Sequence, residues 1–377
     1  MAVYIIYLVF LLSVIAFSPT RYFIYSWIAL LSAIPGICYC LYKYPSKILI
    51  ALLLLFALTV YAGWGNNLQL VDFGHHISNN ELISSASIWL ISFVVMKLTL
   101  HDKLLQKINF LKIYFFIFFL LGIFVMLEEF MRGHTMDEGA NTVYYILPVL
   151  PCVMFFSPKI RYVAMITVFV LIILSIKRSA FIIVALSLLW LVFCLYKGII
   201  KGNKTLITIT AVSAALMFFL YFGNSSYVQA MAKRFSGISD DGGTGRDLIY
   251  AYAWELFLKA DTIHQWLGFG PRYFWYDNTA ISAAHNDFLE ILISCGIVGV
   301  LIFLYLHIQL VKMLVFFVKR ESDIAIPYFV CYITFLVWNL IACQFAYQST
   351  TVCTCMFLAV VENYIYNEEH LIRCNKC

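Results

Sequence analysis

Apolar residues run along this chain in long blocks with brief polar interruptions. Blocks near 2–18, 22–42, 47–65, 82–100, 110–127, 142–157, 160–176, 179–196, 205–222, 286–310, 325–343 and 350–366 each approach the length of a bilayer-crossing helix, about 20 residues. The short alternating segments of a β-barrel are absent. The pattern predicts an all-α polytopic membrane protein of about 12 transmembrane helices. Tight turns such as Ser18-Pro19-Thr20-Arg21 and Ser157-Pro158-Lys159-Ile160-Arg161 make neighbouring spans antiparallel. One long stretch breaks the rhythm, dividing the chain into helices 1–9 over 1–222, a loop over 223–285, and helices 10–12 with a short tail over 286–377.

The loop has a pattern of its own. Residues 235–247 cluster Gly, Ser and Asp, which is turn chemistry. "TGRDLIYAYAWELFLK" then predicts a helix with Thr244 as N-cap and Asp247 three residues on. Leu248, Tyr252 and Leu256 form one stripe and Ile249, Ala253 and Phe257 the next, so the helix suits the bilayer surface or the top of a bundle. "WLGFGPRYFW" follows, with Gly268, Gly270 and Pro271 forcing a turn.

Composition supports the membrane reading. The chain is 63% hydrophobic and 12% charged, against about 25% charged in a soluble domain. No basic n-region precedes the first block and no Ala-x-Ala follows it, so this block reads as a retained span. The basic residues form no nucleic-acid-binding face and no nucleic-acid motif is present, so no nucleic-acid partner is expected. The 11 cysteines fall almost entirely in apolar blocks, which speaks against a disulfide framework. Cys374 and Cys377 have C-x-x-C spacing without a partner pair and read as a tail, so no metal site is expected. With the N-terminus inside, 16 of the 25 basic residues lie on the cytoplasmic side. Short outside loops hold only Arg21, Arg132, Lys177 and Arg178, so both termini are expected inside and the long loop outside.

Charge also picks out candidate chemistry. Lys177-Arg178 breaks the positive-inside pattern in a tight turn, where it suits an anion or lipid headgroups. Arg246 stands at the positive end of a predicted helix, a poor place for a cation unless an anion converges there; pairing with Asp240 or Asp241 is the alternative. Arg272 lies among aromatics that suit either a sugar-binding surface or an interfacial belt. At 284–290, Asn286 is a natural N-cap, while Asp287 and Glu290 favour a helix N-terminus and need do no more than cap it. His285 is different, because capping needs no imidazole, and a neighbouring carboxylate could hold it as a base. Two guanidiniums suit a diphosphate and a histidine suits deprotonation of a hydroxyl. Together they point to glycosyl transfer from a lipid diphosphate.

Three blocks carry a family resemblance. "SIKRSAFIIVAL", "TGRDLIYAYAWELF" with "WLGFGPRYF", and "AHNDFLEILISCGIVGV" resemble, in that order, motifs of the O-antigen polymerase and O-antigen ligase family. The blocks cover about 174–303; the N-terminal half is similar only as a series of spans. The resemblance implies an inverting, metal-independent glycosyltransferase of GT-C architecture, without cofactor, in the bacterial inner membrane with its site at the periplasmic face. It implies an undecaprenyl-diphosphate-linked oligosaccharide as donor, diphosphate binding by Arg178 and Arg246, and His285 as the base. Arg272 becomes a glycan or phosphate contact, with Asp287 and Glu290 in supporting roles. A chain-length-regulating co-polymerase is an implied partner. Polymerase is the preferred reading, with the O-antigen or capsular repeat as substrate. Ligation to lipid A core is the alternative, and a lipid-linked oligosaccharide transporter is the reading of another class.

Overall fold

The computed structural model describes residues 23–43, 46–65, 70–72, 75–77, 89–95, 97–98, 124, 178–199, 246–270, 273–274, 284–322, 325–341, 355, 357–359 and 362. The predicted spans at 2–18, 142–157, 160–176 and 205–222, and all of 110–127 but Phe124, lie outside them, as do Thr244 and Arg272. The elements are α1 (Phe23–Lys43), α2 (Lys47–Gly65), β1 (Leu70–Asp72), β2 (His75–Ile77), α3 (Arg178–Tyr196), α4 (Arg246–Lys259), α5 (Thr262–Leu267), α6 (Asp287–Lys319) and α7 (Ala325–Ile341). Helix dominates, as expected. The exception is an antiparallel hairpin in which Leu70 pairs with Ile77 and Asp72 with His75. Among the described residues, α6 is the helix long and apolar enough to cross a membrane; 47–63, 185–196 and 328–341 are shorter apolar helices.

The chain divides into two compact units. The first takes 1–110, 248–311 and 338–377, and the second takes 111–247 and 312–337. In the second unit, Trp190 of α3 stacks on Phe329 of α7 at 4.2 Å and donates its indole N–H to the Ala325 carbonyl at 3.2 Å. Indole is thereby packed on its face and satisfied at its polar edge.

In the first unit, Ser46 caps α2: its hydroxyl accepts from the Leu49 N–H at 2.9 Å and donates to the Glu362 carboxylate at 2.5 Å. The same carboxylate pairs with Lys97, which is buried. Buried ions need such neutralisation, and this cluster ties the start of α2 to residues 97 and 362. Above it, Ile48, Leu49, Leu52 and Leu55 bury one face of α2.

The loop helix α4 packs by the face its pattern predicts, with one correction. Ile249, Tyr252, Ala253, Leu256 and Phe257 turn inward against Phe274, Ala284, Leu289 and Ile293. Leu248, expected on the same stripe as Tyr252 and Leu256, instead points outward and is 70% exposed.

A larger correction concerns α6, expected as one continuous span over 286–310. Gly296 adopts φ 65°, ψ −166°, which interrupts the helix. Phe288 then meets Phe303 at 5.0 Å and His307 at 5.5 Å. In a straight helix, residues 15 apart would be separated by about 22 Å along the axis. The chain therefore folds back at Gly296. A short arm, 287–295, lies against a long one, 297–319. At ~1.5 Å per residue the long arm is about 34 Å, enough for a hydrocarbon core of about 30 Å. The short arm is about 13 Å and cannot cross. Set in a bilayer it would be a re-entrant segment, of the kind that membranes tolerate when protein surrounds it.

Candidate functional site

The short arm begins as its sequence dictates. The Asn286 side-chain oxygen accepts from the Phe288 and Leu289 N–H groups at 2.9 and 3.2 Å. That is N-cap geometry, which satisfies donors the helix cannot pair internally. The Asn286 amide donates to the Leu340 carbonyl at 3.2 Å. Leu340 lies in the last turn of α7, where carbonyls lack intrahelical partners, so the end of one helix fixes the start of another. Asp287 and Glu290 are both buried in the first turn. One Glu290 oxygen accepts from the Ala284 N–H at 3.4 Å, so this carboxylate reaches back to the residue preceding His285.

His285 itself has φ 48°. A non-glycine residue in that region is uncommon, costs about 1–3 kcal/mol, and persists only where its surroundings over-determine it. Here Asn286 is fixed on one side and Ala284 on the other, and the Tyr250 hydroxyl approaches the His285 carbonyl at 3.5 Å. The same hydroxyl lies 3.4 Å from the Leu340 carbonyl. His285 is partly exposed, at the lip of the buried arm. Strain of this kind, held from several directions, gathers at functional positions.

Glycine explains the arm's far end. Gly268, at φ 82°, follows α5 and sits so close to the arm that a Cβ would collide with the Ser294 carbonyl and the Cys295 nitrogen. Gly296 returns the contact, since a Cβ there would collide with the Trp266 carbonyl and the Leu267 nitrogen. Between them the Phe269 N–H donates to the Ile293 carbonyl at 2.8 Å and the Gly270 N–H to the Ser294 carbonyl at 3.1 Å. The turn thus caps the arm's C-terminal carbonyls, which the break at Gly296 leaves without helical donors. Cys295 also touches Thr59 of α2, at 3.5 Å between Sγ and Oγ1.

The aromatic segment around this turn packs on itself. His264, Phe269 and Tyr273 stack in series at 4.5 Å and 4.5 Å. Asp261 caps α5 by accepting from the Ile263 and His264 N–H groups at 2.9 and 3.1 Å. The His264 N–H bond, then the His264 side chain, holds the Asp261 carboxyl below its ordinary value. Phe269 stacks with both His264 and Tyr273, so its ring is engaged in packing within the protein.

The structure therefore gathers His285, Asp287 and Glu290 on one short segment of the first unit. Arg178 opens α3 and Arg246 opens α4, and both belong to the second unit. Arg272 lies outside the described residues. Three polar residues of the first unit were not singled out from sequence. Tyr250 read only as one aromatic of an amphipathic helix. Buried His307 and Asn339, whose Nε2 and Nδ2 lie 3.2 Å apart, were submerged in apolar blocks. The signal available for them was polarity inside an otherwise hydrocarbon run.

No curated protein matches the chain. A family model described as O-antigen ligase matches residues 163–304. That segment holds the two arginine-led helices, the Gly268–Gly270 turn and the re-entrant arm with His285, and over it the chain carries a domain of the O-antigen polymerase and ligase family.

Proposed function

We propose that this protein is an inverting, metal-independent glycosyltransferase that polymerises a lipid-linked O-antigen or capsular repeat unit. The observation that carries the reading is His285: an imidazole held at positive φ at the mouth of a re-entrant arm, within the family-matched segment. In this reading His285 takes the proton from an acceptor hydroxyl. The hydroxyl oxygen bonds to the donor's anomeric carbon from the face opposite the diphosphate, and the bond from that carbon to the diphosphate oxygen breaks. Polyprenyl diphosphate leaves. Arg178 and Arg246, each in the first turn of a helix, where N–H groups lack intrahelical partners, would neutralise the diphosphate. Asp287 and Glu290 support the His285 segment, and Arg272 would contact glycan or phosphate.

The reading carries about 12 spans, GT-C architecture, both termini cytoplasmic, a periplasmic site in the bacterial inner membrane, and undecaprenyl diphosphate as the lipid carrier. A chain-length-regulating co-polymerase is a proposed partner. Ligation to lipid A core is the second reading, favoured by the wording of the matched family; it uses the same donor and the same base. Purified protein in nanodiscs, with chelator and a single lipid-diphosphate-linked repeat unit, separates the two. A ladder of longer glycans establishes the polymerase. Product formed only after lipid A core is added establishes the ligase. Neither product, from folded protein that binds the lipid, removes both.

A further inference from the structure

The short arm is held at both ends by one continuous stretch of chain. At its start, Tyr250 of α4 lies within 3.5 Å of the His285 carbonyl and 3.4 Å of the Leu340 carbonyl that anchors Asn286. At its end, the Phe269 and Gly270 N–H groups bond the Ile293 and Ser294 carbonyls. Between these points α4 lays Ile249, Ala253 and Phe257 along the core that holds Leu289 and Ile293. The loop helices thus form a splint along the arm. Contact at the hinge is backbone on backbone, with Gly268 and Gly296 each filling space that no side chain could share. Such a contact leaves no flexible side chain to absorb a displacement. A shift at the turn passes through about 13 Å of helix to His285.

We infer that Gly268, Gly296 and Tyr250 are positioning residues for His285, and that the loop acts on transfer by setting this arm. The inference rests on the reading of His285 as the base. Catalysis is sensitive to such placement: a misplacement of about 1 Å can cost ~100-fold in rate.

The test uses the full chain in nanodiscs with a lipid-diphosphate-linked repeat unit, comparing Gly268→Ala, Gly296→Ala and Tyr250→Phe. Expected for the glycine variants is a fall in kcat of about tenfold or more, with KM for the repeat unit changed less than about twofold. Amide exchange should quicken over 287–295 and stay unchanged in α2. Tyr250→Phe, which removes only a hydroxyl, should show the same split to a smaller degree. Wild-type kcat in a folded glycine variant overturns the inference, as does faster exchange spread across the whole first unit. Should both glycine variants fail to fold, Tyr250→Phe decides alone, and unchanged kcat with unchanged exchange in the arm overturns it. His285→Asn, run beside them, separates the failures. If it transfers normally the base assignment falls, and the splint then stands or falls on whether exchange over 287–295 responds to the loop variants.

Discussion

At the scale of the residue, His285 combines two properties, and the sequence discloses only one. The imidazole is conspicuous because an N-cap at Asn286 gives it no structural task. Its φ of 48° is invisible in sequence, since it follows from contacts to Ala284, Asn286 and Tyr250 whose partners are 6 to 54 residues apart. The conformation dictates the choice of variant. Asparagine enters the left-handed region more readily than most residues, so His285→Asn should insert and fold like the wild type while transfer falls about 100-fold or more. Valine is β-branched and fits that region poorly, so His285→Val should lose stability as well, by about 1–3 kcal/mol. Thermal unfolding of the two variants in nanodiscs, beside the glycan ladder, checks both statements. A matched midpoint for the two would count against the strained backbone. Asp261 supplies a pH prediction. Its carboxyl is held below its ordinary value of 3.8 by the His264 N–H, then the His264 side chain. A depressed pKa means that the stabilisation is present above 3.8 and is lost as pH falls through the lower, folded value. Protection of the Ile263 and His264 amides, relative to their intrinsic exchange, should therefore hold from neutrality down to about pH 4 and fall below it, whereas Asp261→Asn should remove that fall.

At the scale of the element, hydrophobic periodicity was enough to locate helices. The expected spans at 22–42, 47–65, 179–196 and 325–343 meet helices Phe23–Lys43, Lys47–Gly65, Arg178–Tyr196 and Ala325–Ile341. It failed at α6 for a physical reason. A re-entrant arm and the span that follows are both apolar, so the block reads as continuous hydrocarbon, and the reversal turns on the single dihedral pair of Gly296. The two-stranded hairpin at 70–77 escaped for a related reason: ladders of three residues are too short for a period of two to stand out. The cluster of Ser46, Lys97 and Glu362 was also unread, because its members are scattered over the sequence. It yields a prediction about how these elements hold together. Lys97→Met alone leaves a partly buried carboxylate without its cation, and should cost about 2–3 kcal/mol, less than for a fully buried pair. Lys97→Met with Glu362→Gln removes both charges and should recover a large part of that loss. Unfolding midpoints of the two variants decide it, and equal losses in the two would deny the pairing any special part.

At the scale of the whole molecule, the site's depth follows from the reversal. Phe288 lies beside His307, about ten residues along the long arm from the hinge, which is about 15 Å at helical rise. Sequence alone set His285 at the mouth of a span, level with the outer surface, because a continuous helix admits no other reading. If the hinge stands at the outer interface of the proposed topology, His285 lies well below it, and the acceptor must enter a protein-lined cavity to reach the base. Buried polar groups at that level, His307 and Asn339, fit an interior surface more than a lipid-facing one. Depth and sidedness then have separate signatures in a variant freed of its native cysteines. Single cysteines at Ser239 in the loop and at Asn375 in the tail should react with a membrane-impermeant thiol reagent from opposite sides of sealed, oriented vesicles. A cysteine at His285 should react only from the loop side, more slowly than Ser239→Cys, and should be shielded when lipid-linked repeat unit is bound. Labelling of all three from one side would overturn the topology. Labelling of His285→Cys as fast as Ser239→Cys would keep the topology and return the site to the open surface.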